Sequence, residues 1–199
     1  MSPRNSVLET RHTRRRILDR SLAIASAEGL EGLTIGRLAT DLGMSKAGVL
    51  GHFGTKETLQ LAVVDAAAEL FNEEVPQRVR DVPLGLPRLR ALCEAWVSHL
   101  ERGVLPGGCF FTAAATEFDG REGPVRDAIA GLNTLWQRDL RLHVQRAIAA
   151  GDLPGDTDPD QLIYDIVGIM LALNHFQQLQ HDPLATSRAR RALTRLLPA

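Results

Sequence analysis

Apolar positions recur three and four residues apart along almost the whole chain, and alternating β-branched runs are absent. That period belongs to helices, so the pattern predicts an all-α protein. Turn and capping chemistry marks where each helix starts and stops. The first is predicted over about 10–29, with Ile17, Leu18, Ser21, Leu22 and Ala25 on its apolar side and Gly29 at its end. The second runs over about 35–42, between a Thr34 cap and Gly43, and the third over about 46–53, after a Ser45 cap. Thr55 opens a fourth that reaches about Val75, before Pro76. Further helices are predicted at about 85–102, 108–118, 124–150, 159–181 and 185–197, separated by "RGVLPGG", "FDGREGP", "GDLPGDTDPD" and "QHDP".

The second and third helices are too short to be stable alone, so packing must hold them. Ile35, Leu38, Ala39 and Leu42 share one face of the second, and Val49 and Phe53 share one face of the third. Burying both against Ile17, Leu22 and Leu59 makes a helix-turn-helix and leaves the other face of the third helix for a DNA groove. That face carries Lys46, Ala47, Gly48, Leu50 and Gly51. Each hydroxyl cap also marks a helix N-terminus, which attracts phosphate. Lys46 and Lys56, the only lysines, each follow a cap by one residue. Few side chains on this face can make paired hydrogen bonds to base edges. Contacts of Ala47 or Leu50 with thymine methyls, a reach by Arg37 and a phosphate clamp are the expected means of reading. An N-terminal arm with Arg4 and Arg11 is expected to add charge in a minor groove.

Charge sharpens this picture. The net charge is −1, yet residues 1–60 carry +3 and the remainder −4. A locally basic head suits contact with a polyanion. Apolar residues at 44% and charged residues at 24% indicate a soluble globular chain. "LIYDIVGIMLALNHF" is interrupted by Asp165 and too short to span a membrane. Cys93 and Cys109 sit in no metal or redox spacing, so a reduced, cytoplasmic chain without metal or cofactor is expected, although Cys109 at a helix start is placed where a thiol pKa can fall. No nucleophile elbow, zinc-protease motif, phosphate loop or dinucleotide fingerprint is present, which argues against an enzyme.

The stretch "RRRILDRSLAIASAEGLEGLTIGRLATDLGMSKAGVLGHFGTKETL" resembles the N-terminal domain of the tetracycline-repressor (TetR) family. The match runs over about residues 14–67 without a gap. It rests on Arg16-Ile17-Leu18, Gly29 before Leu33-Thr34, Leu38-Ala39, Leu42-Gly43-Met44-Ser45, and His52-Phe53 followed by Thr55-Lys56-Glu57 and Leu59. The resemblance implies a homodimeric regulator, usually a repressor, that binds double-stranded DNA at a palindromic operator and is released by a small effector. It implies a DNA-binding domain at 1–58 and a ligand-binding and dimerisation domain, a helical bundle, at 59–199. Thr34, Ser45, Lys46, His52 and Lys56 match positions that often touch the DNA backbone in the family. The family usually has an aromatic residue two places before the His; this chain has Leu50 there, then Gly51. A regulator without an effector and a helical enzyme are the competing readings.

In the second domain Trp96, His99, Phe110, Phe111, Thr112, Trp136, His143 and Asn174 are the candidate pocket residues, with Thr116 a further polar group. An apolar lining with few polar groups suits an apolar or aromatic effector. An effector that wedges the 85–102, 108–118 and 124–150 helices apart is expected to move the fourth helix. Apolar residues cover nearly the whole circumference of the 159–181 helix, so one side needs a partner. Ile166, Ile169, Leu173 and Phe176 are the expected dimer contacts.

Overall fold

The computed structural model describes residues 3–197, with side chains from Leu8 onward. Among the described residues it is all-helical: α1 Pro3–Glu28, α2 Ile35–Leu42, α3 Lys46–Phe53, α4 Lys56–Glu74, α5 Leu86–Glu101, α6 Phe110–Phe118, α7 Pro124–Ala150, α8 Pro159–Gln178 and α9 Ala185–Leu196. A single 3-10 turn, Gln77–Val79, follows α4 and was not read from the pattern. No described helix is long and apolar enough to cross a membrane.

The capping expected from sequence is present. Thr34 Oγ1 accepts the Arg37 N–H at 3.1 Å, Ser45 Oγ accepts the Gly48 N–H at 3.0 Å, and Thr55 Oγ1 accepts the Thr58 N–H at 3.0 Å. Each removes a free donor from a helix start. Gly43 closes α2 at φ 63°, and the Met44 N–H reaches back to the Ala39 carbonyl at 2.9 Å. A side chain at Gly43 would resist that left-handed conformation. α1 begins at Pro3, well before the predicted start near 10, so the segment expected to be an arm is helix. The Arg4 side chain lies outside the described residues.

The chain packs into two compact units. One holds the residues up to Glu69 together with Leu105–Ile129, and the other holds Leu70–Val104 together with the residues from Ala130 onward. The boundary at 58/59 read from the sequence falls inside α4, and α6 packs in the same unit as α1–α3. The first unit's core contains Ile17, Leu22, Leu30, Leu33, Leu38, Val49, Phe53, Leu59 and Val63, none more than 6% exposed. Burying side chains of this size removes roughly 1.5–3 kcal/mol each of apolar exposure, which is what holds two eight-residue helices. The second unit's core contains Leu89, Leu92, Val97, Leu140, Val144, Ile166 and Met170. There α9 lays Ala185, Ala189 and Leu193, four residues apart, against its neighbours.

Candidate functional site

On α3, packing splits the residues as the pattern predicts. Val49 and Phe53 are buried, whereas Lys46, Ala47, Leu50 and Gly51 are exposed and Gly48 is half-buried. A Cβ at Gly36 on α2 would sit 3.3 Å from Lys46 Cε. The end of the lysine side chain therefore lies close over Gly36, in the first turn of α2. Among the described residues Lys46 has no ion-pair partner, and its ammonium is left beside the α2 N-terminus. His52 is half-buried, its ring centroid 6.3 Å from that of Phe53.

Arg37 and Lys56, also read as DNA contacts, are engaged within the protein. Arg37 makes two parallel bonds to Glu28, at 2.8 and 2.9 Å, and lies 3.6 Å from Asp41, which Arg20 also holds. Paired fork geometry of this kind orients the guanidinium toward Glu28, on the exposed surface. The Lys56 ammonium bonds the Glu31 carbonyl at 2.9 Å and Glu31 Oε2 at 3.0 Å. It ties α4 to the loop that carries Glu31. Arg14 stacks on the Phe53 ring at 4.9 Å, and Arg15 bonds Asp19 at 2.9 Å. The signal that placed Lys56 was position relative to a cap, and that position says nothing of acids distant in sequence.

The candidate pocket residues divide between the units. Phe110, Phe111 and Thr112 lie in the first, where the two phenylalanines meet edge to face at 5.4 Å. Trp96, His99, Trp136, His143 and Asn174 lie in the second. There Trp96 and Trp136 meet at 5.5 Å, and Phe71 touches Trp96 at 5.7 Å, His99 at 6.0 Å and Trp136 at 5.1 Å. Phe71 was missed from sequence because it lies on α4, read only as a link between head and body. The two indole Nε1 atoms and the Nδ1 atoms of His99 and His143 are buried without a hydrogen-bond partner among the described residues. Burial holds both imidazoles below the usual histidine pKa, outweighing Glu74 beside His99 and Asp139 beside His143. Buried polar atoms of this kind call for a partner. Cys93 is buried, which pushes its thiol up to about 12, and Cys109 is buried at the start of α6.

On α8 the expected interface needs correcting. Ile166 and Leu173 are 0% and 2% exposed within their own unit, so they offer nothing to a partner. The outward side carries Tyr164 at 75%, Leu171 at 48% and Phe176 at 38%, with Gly168 and Ala172 exposed and Ile169 half-buried. Tyr164, Gly168, Ile169 and Ala172 line one wall of a groove of about 540 Å³, and Ala192, Arg195 and Leu196 of α9 line the other. No group of described His, Cys, Asp and Glu residues is arranged to hold a metal ion.

A family model described as bacterial regulatory proteins, tetR family, matches residues 17–63. A second, described as tetracyclin repressor-like, C-terminal domain, matches residues 85–193. A TetR transcriptional regulator from Chloroflexus aurantiacus is 26% identical with a TM-score of 0.85, over 94% of this chain and 95% of that one. AibR, crystallised in complex with isovaleryl coenzyme A and operator DNA, is 23% identical with a TM-score of 0.77, over 93% and 98%. A transcriptional regulator from Saccharomonospora viridis in complex with choline is 19% identical with a TM-score of 0.79, over 92% and 94%. No curated protein sequence matches the chain at a significant level.

Proposed function

We propose, for a chain that belongs to the tetracycline-repressor family of bacterial regulators, that it acts as a homodimeric repressor whose α3 enters the major groove of a palindromic operator. The observation that carries this reading is the exposed face of α3, with Lys46 free beside the capped N-termini of α2 and α3. Helix N-termini and a lysine together hold phosphate, while Ala47, Gly48 and Gly51 let the backbone approach closely. Leu50 supplies an apolar contact of the kind that meets a thymine methyl.

Dimerisation through α8 and α9 is supported by the apolar side of α8, which continues into α9 across the groove. A two-fold axis would set the same surface of each copy against the other.

The effector reading centres on the second unit. Two indole N–H groups can only donate, and burial favours neutral imidazoles. Both features favour an apolar or aromatic molecule bearing a carbonyl or carboxylate oxygen. The rings of Phe71, Trp96 and Trp136 pack edge to face, with centroids 5.1–5.7 Å apart. Of the ligands held by the two structural neighbours, the acyl compound carries a carbonyl oxygen of this kind.

Operator fragments recovered from a random DNA pool by repeated selection on the full-length protein test the first part. Melting-temperature shifts with isovaleryl coenzyme A and with choline test the second. The reading expects a shift with the acyl compound, and weakened operator binding in its presence.

A further inference from the structure

We propose that Glu117 of α6 is a positioning residue for DNA binding, acting through the loop that joins α1 to α2; this rests on the DNA-binding reading above. The loop turns at Gly29, where φ is 87°. The next two peptide N–H groups, of Leu30 and Glu31, point the same way and form a small anion-binding concavity. The Glu117 carboxylate fills it, accepting the Leu30 N–H on Oε2 at 2.7 Å and the Glu31 N–H on Oε1 at 2.9 Å. A Cβ at Gly29 would stand 2.9 Å from Glu117 Oε1. Gly29 is required by the left-handed turn, and a side chain there would also displace the carboxylate lying against it.

The carbonyls of the same two residues are held from α4. Gln60 Nε2 donates to the Leu30 carbonyl at 3.1 Å, and Lys56 Nζ donates to the Glu31 carbonyl at 2.9 Å. The Glu31 side chain closes the set, accepting from Gln60 Nε2 at 2.9 Å and from Lys56 Nζ at 3.0 Å, with Arg121, three residues beyond α6, at 3.5 Å. These donors, Gln60 first and then Lys56, hold the Glu31 carboxyl below the usual range. Two consecutive residues are thus gripped by their N–H groups from α6 and by their C=O groups from α4.

Those residues lead directly into Leu33, fully buried, and Thr34, the cap of α2. The clamp therefore fixes where the helix-turn-helix starts. Glu117 touches no DNA-facing residue of α3. Its effect runs through the loop, and any displacement of α6 reaches the helix-turn-helix along this path. Hydrogen bonds to a charged acceptor are the stronger kind, which suits a coupling element.

The test uses the full-length protein and its selected operator. E117A removes both acceptors; E117Q keeps one carbonyl oxygen and serves if E117A folds poorly. Hydrogen exchange followed by mass spectrometry reads the Leu30 and Glu31 amides. Operator affinity is measured from 50 to 200 mM salt, below the melting temperature of each variant. E117A is expected to speed exchange at these amides at least tenfold and to weaken binding at least tenfold with an unchanged salt slope. E117Q is expected to fall between E117A and the parent. A lower melting temperature with operator affinity within twofold of the parent would overturn the proposal, leaving a merely structural carboxylate. A reduced salt slope would also overturn it, since Glu117 carries no phosphate contact to lose. A parent protein that selects no DNA would instead overturn the regulator reading on which the proposal rests.

Discussion

The Lys56 ammonium lies 2.9 Å from the Glu31 carbonyl oxygen and 3.0 Å from Glu31 Oε2, bridging 25 positions of sequence. Both side chains are 39% exposed, so solvent weakens the ion pair itself. The bond to the loop carbonyl adds roughly 1 kcal/mol, below the usual range for a charged donor because the ammonium is partly exposed. Lys56→Ala should therefore lower the melting temperature by about 2–4 °C and leave the salt slope of DNA binding unchanged. A slope reduced by about one per subunit would return Lys56 to the phosphate clamp.

Glycines of opposite kinds make a paired prediction. A Cβ at Gly107 would lie 1.7 Å from the Ser26 carbonyl oxygen and 2.7 Å from the Ala27 nitrogen, both backbone atoms. Neither can move without disrupting the end of α1, so Gly107→Ala should cost more than about 4 kcal/mol. Gly51 sits inside α3 with open space around it. Gly51→Ala should stabilise the fold by roughly 0.5–1 kcal/mol while placing a methyl group on the exposed side of α3. Thermal melts of both variants decide the matter, and equal effects would contradict the geometry.

Acid should loosen the second unit before carboxylates matter. His99 and His143 are 4% and 3% exposed, and burial lowers both pKa values. The unfolded chain takes up protons near the ordinary value of about 6.5, while the folded chain resists. Stability is then fully present above that value and declines as pH falls below it, by up to about 1.4 kcal/mol per pH unit for each histidine. Glu31, whose carboxyl is held low, keeps its contribution above about 4.5 and loses it only below, so the windows separate. Urea melts between pH 7.5 and 5.5 should show this slope, reduced in His99→Gln. A flat profile would contradict it.

The association surface separates two classes of substitution on α8. Tyr164→Glu combined with Ala172→Arg should give monomers by light scattering at micromolar concentration with the helical content intact, because both side chains face outward. Ile166→Ala should instead destabilise the subunit by about 2–5 kcal/mol through the cavity it leaves. A dimer indifferent to the first pair would place the interface elsewhere.

What was legible in the sequence was local. Thr34, Ser45 and Thr55 announced helix starts, and Gly29 and Gly43 announced stops, because capping is settled within four residues. The period of Val49 and Phe53 told which side of α3 is buried. Partners distant in sequence were not legible. Nothing near Lys56 announces Glu31, nothing near Arg37 announces Glu28, and nothing on α6 announces that Glu117 holds the loop after Gly29. On α8, apolar residues all round could not tell Ile166, which faces its own unit, from Tyr164, which does not. Periodicity gives a face and leaves its occupant open.

The most direct test of the account is the salt dependence of operator binding by the parent protein and by Lys46→Ala. The account predicts that logarithmic affinity falls linearly with logarithmic salt, and that the substitution weakens binding to all sequences alike and flattens the slope by about one per subunit. An unchanged slope with relaxed preference at a single base pair would contradict it, since Lys46 would then be reading a base edge and not holding phosphate.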